Sequence, residues 1–80
     1  MTINVLAKKL RTMYNGSNNE KAAMVHLFGI IYADEILKAG ISVAEIIRAA
    51  GLTTGYNSEL CKGIKLSEYV KLRDEYKDKF

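Results

Sequence analysis

The sequence predicts an all-α fold, a compact bundle of about five helices forming one domain over residues 1–80. Three observations carry this expectation. Apolar residues recur at steps of three and four along most of the chain, the spacing that lines one side of a helix. There is no proline, and the six glycines fall mostly at gaps between apolar segments, as in helices joined by short turns. Apolar residues make up 49% of the chain, which supplies a packed interior and argues against disorder.

Helices are expected over residues 3–14, 18–38, 43–50, 54–63 and 67–78. In the first, Ile3, Leu6, Leu10 and Met13 share a side, Lys8, Lys9 and Arg11 lie elsewhere on the circumference, Thr2 can cap the start and Asn15-Gly16 the end. Ser17 or Asn18 can cap the second helix, and Glu20 favours the positive end of its dipole. Its early apolar stripe, Met24, Leu27, Phe28 and Ile31, and its later one, Tyr32, Ala33, Ile36 and Leu37, fall on nearly opposite sides at about 100° per residue. Such a helix is central, with neighbours on both flanks. Gly29 marks close approach by another backbone or a kink. A buried strand over LFGIIYA is the competing reading.

The sharpest local signal is Ile41-Ser-Val-Ala-Glu-Ile46. Ser42 and Glu45 have capping-box spacing, and Ile41 and Ile46 sit where a hydrophobic staple clamps the start of a helix. That third helix runs to Ala50 and stops at Gly51, which takes a left-handed backbone cheaply. Thr53 or Thr54 can cap the fourth helix, in which Leu60 and Ile64 face inward and Gly63 loosens the end. Ser67 can start a last helix carrying Tyr69, Leu72 and Tyr76 at helical spacing, with Glu75 and Lys79 as an i,i+4 pair.

Val43 to Ala50, the turn Gly51-Leu52-Thr53 and the helix from Thr54 have the order of a helix-turn-helix, in which a bracing helix and a glycine turn present a reader helix to the major groove. The order Ala50, Gly51, Leu52, Thr53 resembles the turn of tetracycline-repressor-type regulators. Two positions depart from that pattern. Ile47 stands where those motifs prefer a small residue between touching helices, and Asn57 where they prefer an aliphatic one. More widely, HLFGIIYADEI, a short capped helix and GYNSELCKGIKLSEYV together resemble a small helix-turn-helix-like domain of bacterial and phage proteins, from about Leu6 to Leu72. Some members of that family sit beside restriction or mobile-element modules. The resemblance implies a fold and carries no catalytic motif.

On a DNA-binding reading, Thr53 and Thr54 with the free amides at the start of the reader helix hold a phosphate. Tyr56, Asn57 and Ser58 face base edges, asparagine being able to pair with adenine. Lys62 and Lys65 follow the backbone, and Arg48 reaches a phosphate from the bracing helix. The same residues have plainer roles: Tyr56 closes the turn, Thr53 caps a helix, and Lys62, Lys65, Lys71 and Arg73 belong to any solvated face. Glu59 and Glu68 dilute the field, and the formal net charge is +3. Double-stranded DNA is the expected partner, with a homodimer or a fused module needed for specific recognition.

Catalysis is not expected. His26 and Cys61 are the only soft ligands, too few for a metal site. Asp34 and Glu35 are adjacent and point to different sides of a helix. Gly51 to Gly55 lacks the lysine of a nucleotide loop. No cofactor or small-molecule substrate is implied. A lone cysteine and the absence of a cationic, apolar leader suggest a reducing cytoplasm, and the longest apolar run, Leu27 to Ala33, is too short for a membrane. The alternative function is protein interaction or assembly, with Tyr69, Tyr76 and Phe80 as a docking stripe; the chain can also be a piece of a longer protein.

Overall fold

Thr2 opens helix α1 (Ile3–Asn15): its hydroxyl accepts the Val5 amide at 3.3 Å, satisfying one of the donors that a helix start leaves free. Leu6, Ala7, Leu10 and Met13 are buried along one side of it, with Ile3 half-buried against the same cluster. The computed structural model describes residues 1–77, 79 and 80.

Helix α2 (Lys21–Ala39) begins later than its caps suggest. Ser17 donates its hydroxyl to the Tyr14 carbonyl (2.7 Å), so it finishes α1 rather than starting α2. Asn19 takes a left-handed conformation (φ 61°), and Glu20 precedes the helix without a side-chain bond. LFGIIYA is helical, so the strand reading fails. Val25, Phe28, Gly29, Tyr32, Ala33 and Ile36 are buried, a span wide enough to take a neighbour on each flank. Met24, Leu27 and Ile31 are half-buried, whereas Leu37, expected on the inner stripe, is 68% exposed.

Both α2 and α3 (Val43–Ala49) end in Schellman motifs, which return two free carbonyls to backbone amides. After α2, Gly40 (φ 65°) donates to Leu37 and Ile41 to Ile36. After α3, Gly51 (φ 75°) donates to Arg48 and Leu52 to Ile47, each at 3.0 Å. Ser42 starts α3 by accepting the Glu45 amide (3.2 Å), and its hydroxyl donates to the Glu45 carboxylate (3.0 Å). The capping box thus closes side chain to side chain.

Helix α4 (Tyr56–Leu66) starts after a turn built from backbone alone: Tyr56 N–H donates to the Thr53 carbonyl and Asn57 N–H to the Thr54 carbonyl. The threonine hydroxyls do not cap it, contrary to expectation. α4 also runs past Gly63, which is buried within the helix rather than loosening its end.

The last expected helix, over 67–78, does not form; residue 78 lies outside the described residues, and the rest is otherwise arranged. Ser67 keeps helical dihedrals (φ -58°, ψ -20°) and donates its hydroxyl to the Ile64 carbonyl, so it closes α4 instead of capping a new helix. Only a single 3-10 turn, η1 (Asp74–Tyr76), follows. Without a cap, so short a segment cannot meet the cost of nucleating a helix. Glu75 pairs with Arg73 at 2.8 Å rather than with Lys79. The chain end folds back on α2, where the Tyr32 hydroxyl donates to the Phe80 carbonyl (2.8 Å).

The four helices pack in a ring, α1 on α2, α2 on α4, α4 on α3 and α3 on α1, around an apolar core with Phe28, Leu6, Leu10, Ile46, Ile47, Leu60 and Val25 fully buried. The most extensive contact is α2 on α4, and two glycines make it possible. A Cβ on Gly29 would lie 2.9 Å from the Ile64 nitrogen and the Leu60 oxygen; a Cβ on Gly63 would fall on the His26 carbonyl. The two backbones touch at a point that admits no side chain.

Gly63→Ala is therefore expected to lose about 3 kcal/mol of stability, since overpacking against backbone outweighs the ~1 kcal/mol gained in helix propensity. Gly55→Ala is the control. A Cβ there meets only the Thr53 hydroxyl, at 3.8 Å, and φ is -57°, so stability should hold or rise by up to about 1 kcal/mol. Urea melts of both variants decide; equal effects would contradict the close crossing.

Candidate nucleic-acid interface

Because Leu60 and Gly63 are fixed against the core, the rotation of α4 about its axis is set. At about 100° per residue the opposite side is then Ser58, Cys61, Lys62 and Lys65, and all four are exposed. Thr53, Thr54 and Gly55 lead into that side and are exposed as well. The outer face is thus hydroxyls at the start and lysines further along.

Of the three side chains expected at base edges, Ser58 is exposed, and Tyr56 and Asn57 are half-buried. Tyr56 stacks edge-on against Tyr14 of α1, with ring centroids 5.4 Å apart and hydroxyls 3.5 Å apart. Lys21 lies over the far ring of the pair, 4.4 Å from the Tyr14 centroid. The hydrogen bond to Tyr14, then burial, and then the charges of Tyr14 and Glu59 raise the Tyr56 phenol above its ordinary value. A raised acid favours the fold below its unfolded value and loses that contribution as pH rises through the folded one, so the Tyr56 phenol keeps its proton, and its bond to Tyr14, at neutral pH. It ties the start of α4 to the end of α1.

Asn57 is the one strained choice in the helix. Its Oδ1 is buried with no partner among the described residues. The position where related turns prefer an aliphatic side chain therefore faces inward here, and the expectation that Asn57 points outward to a base is not met by its oxygen.

Glu59 lies between the His26 imidazole and the Lys62 ammonium. Its carboxylate touches His26 of α2, without hydrogen-bond alignment, and stands 3.6 Å from Lys62 on its own helix. The carboxylate that would dilute the positive face is thus turned toward α2. Arg48 is exposed on α3. Ile47, expected to alter the helix crossing, is 1% exposed in the core and its carbonyl accepts the Leu52 amide. The bulk at that position fits a chain in which α4 leans chiefly on α2 and less on α3.

Sequence reasoning passed over Arg11. Its Nη1 donates to the Ala50 carbonyl at 2.7 Å, where α3 ends and the turn begins. The guanidinium satisfies a helix-terminal carbonyl and complements the negative end of the α3 dipole. Its position in the chain, far from residue 50, gave no signal of the contact.

Among the described residues no three His, Cys, Asp or Glu side chains gather as metal ligands, and no helix is long and apolar enough to cross a membrane. Compared with known proteins, residues 2–73 match the family model of an HTH-like domain, and the chain belongs to that family. No curated protein and no solved structure matches it. The likeness of the turn to tetracycline-repressor-type regulators rests on Ala50, Gly51, Leu52 and Thr53 alone.

Asn57→Leu should raise stability by about 1 kcal/mol, because it removes a buried acceptor that has no donor and adds apolar surface on an inward-facing side. A urea or thermal melt reads it directly. A loss of stability would mean that Asn57 finds a partner in solution and belongs to the fold.

Proposed function

We propose that this domain binds double-stranded DNA through the outer face of α4. The observation that carries the reading is the joint exposure of Ser58, Lys62 and Lys65 on one side of a helix that follows a glycine turn, in a chain of the HTH-like family. A helix so presented has the width to enter the major groove. Thr53 and Thr54 contact a phosphate at its start, Ser58 faces base edges, and Lys62 and Lys65 contact phosphates along it. Arg48 adds a contact from α3. Tyr56 and Asn57 act mainly by positioning the helix, Asn57 reaching bases only with its amide nitrogen.

The action is binding rather than catalysis. One reader helix with two lysines and no arginine makes few contacts, so a lone domain binds weakly and sequence-specific recognition needs a second copy or a fused module. Regulation of transcription, or targeting of a larger bacterial or phage system in the cytoplasm, fits such a module.

A second reading, protein interaction, is favoured by a different surface. Leu66 (42% exposed), Tyr69 (81%) and Val70 (43%) follow one another where α4 ends, leaving apolar area uncovered. The expected stripe of Tyr69, Tyr76 and Phe80 on one helix does not exist, since that helix is absent and Phe80 packs against the core.

Fluorescence anisotropy with a short mixed-sequence duplex tests the first reading. Lys62→Ala and Lys65→Ala should each weaken binding about three- to tenfold whatever the sequence, and each should flatten the slope of log affinity against log salt by about 0.9. Binding that is unchanged in both variants, or absent at low salt, would remove the outer face of α4 from consideration. A mass that grows with concentration and ignores duplex would then favour the surface at Leu66 to Val70.

A further inference from the structure

A cleft of about 420 Å³ lies between α1 and the end of α3, lined by Asn4, Ala7, Lys8, Arg11 and Thr12 on one side and Ala49, Ala50 and Gly51 on the other. Its composition is asymmetric. One wall carries two cations and two polar side chains, no carboxylate lines it, and the other wall is small residues only. We infer that this cleft seats a DNA phosphate, so that Lys8 and Arg11 of α1 form a second backbone contact beside the one made by α4. The inference rests on the DNA-binding reading above and extends it to a helix outside the helix-turn-helix unit.

Three features suit the site to a phosphodiester. Arg11 is held in place before any ligand arrives, by its 2.7 Å bond to the Ala50 carbonyl. That bond uses one of its five N–H donors and leaves the rest of the fork available for the fixed geometry of a phosphate. The wall of Ala49, Ala50 and Gly51 carries no large side chain, and the Arg11 guanidinium lies directly against Gly51, so the guanidinium itself forms the surface presented there. Finally, the cleft adjoins the turn. Gly51 and Thr54 are three residues apart, at most about 11 Å along the chain, close enough for neighbouring phosphates of one strand to reach both. One strand can therefore run from the start of α4 across the turn into the cleft.

Lys8 is exposed and makes no ion pair among the described residues, so Lys8→Ala should leave the fold intact, as circular dichroism will verify. The test compares duplex affinity and salt slope for the unaltered protein, Lys8→Ala, Lys62→Ala and Lys38→Ala. Lys38 is exposed at the end of α2, before α3 and so at the far end of that helix from the turn; it controls for loss of one charge. The expected result is that Lys8→Ala weakens binding three- to tenfold and flattens the slope by about 0.9, matching Lys62→Ala, while Lys38→Ala changes little. If Lys62→Ala weakens binding and Lys8→Ala behaves like Lys38→Ala, the cleft is not a phosphate site and the DNA reading stands without it. If the unaltered protein binds no duplex at low salt, the DNA reading fails and the cleft contact fails with it.

Discussion

The contact between Gly29 and Gly63 sets the geometry from which the rest of this fold follows. At that point α2 and α4 approach until a single methyl group on either would strike the other's backbone. Small side chains are tolerated elsewhere on helix surfaces; here none is. The close approach lets Leu60 and Phe28 both bury fully beside the crossing, and it fixes how α4 is turned about its own axis. Since a helix has only one outer side once its inner side is chosen, the exposure of Ser58, Lys62 and Lys65 follows from the position of Gly63. Stability and the presented surface share one cause.

A second layer of constraint holds the two ends of the turn. The Schellman motif at Gly51 ends α3, the Arg11 guanidinium satisfies the Ala50 carbonyl, and the Tyr14–Tyr56 pair anchors the first residue of α4. Two of these three links come from α1, which lies outside the helix-turn-helix order altogether. In a chain of 80 residues a core of thirteen buried apolar residues among the described ones gives only a modest net stability. Polar links at the turn therefore matter more than they would in a larger domain, because they orient the presented helix. The same geometry puts the basic edge of α1 beside the turn.

Much of this was legible in the residues. The periodicity of Leu6, Leu10 and Met13, the Ser42–Glu45 cap and the stop at Gly51 are local signals, and local signals survive folding. Gly29 pointed to a close approach or a kink, and it is the close approach that the fold uses. Gly63 reads locally as a loose helix end, since its partner across the crossing is distant in sequence. The last helix failed for a related reason. Tyr69, Leu72 and Tyr76 have helical spacing, but Ser67 is spent on closing α4, and a short segment without a cap or a core to pack on has little to nucleate it. At the candidate site Ser58, Lys62 and Lys65 are exposed, whereas Tyr56 and Asn57 turn partly inward, because the packing of Leu60 and Gly63 puts them on the inner flank of α4. Arg11 could not be found from sequence at all: its carbonyl partner lies in another helix.

The central claim is that the crossing at Gly29 and Gly63 presents one side of α4 to a DNA duplex. An amide-resolved NMR titration of the labelled protein with a short mixed-sequence duplex, at low and then moderate salt, tests it most directly. The account predicts shifts concentrated at Thr53, Thr54, Ser58, Cys61, Lys62 and Lys65, fading steeply as salt is added, with Leu60 and Gly63 nearly unmoved. A spectrum unchanged at low salt and high duplex concentration, or shifts confined to Leu66–Val70, would contradict it and leave the helix-turn-helix as a scaffold for some other surface.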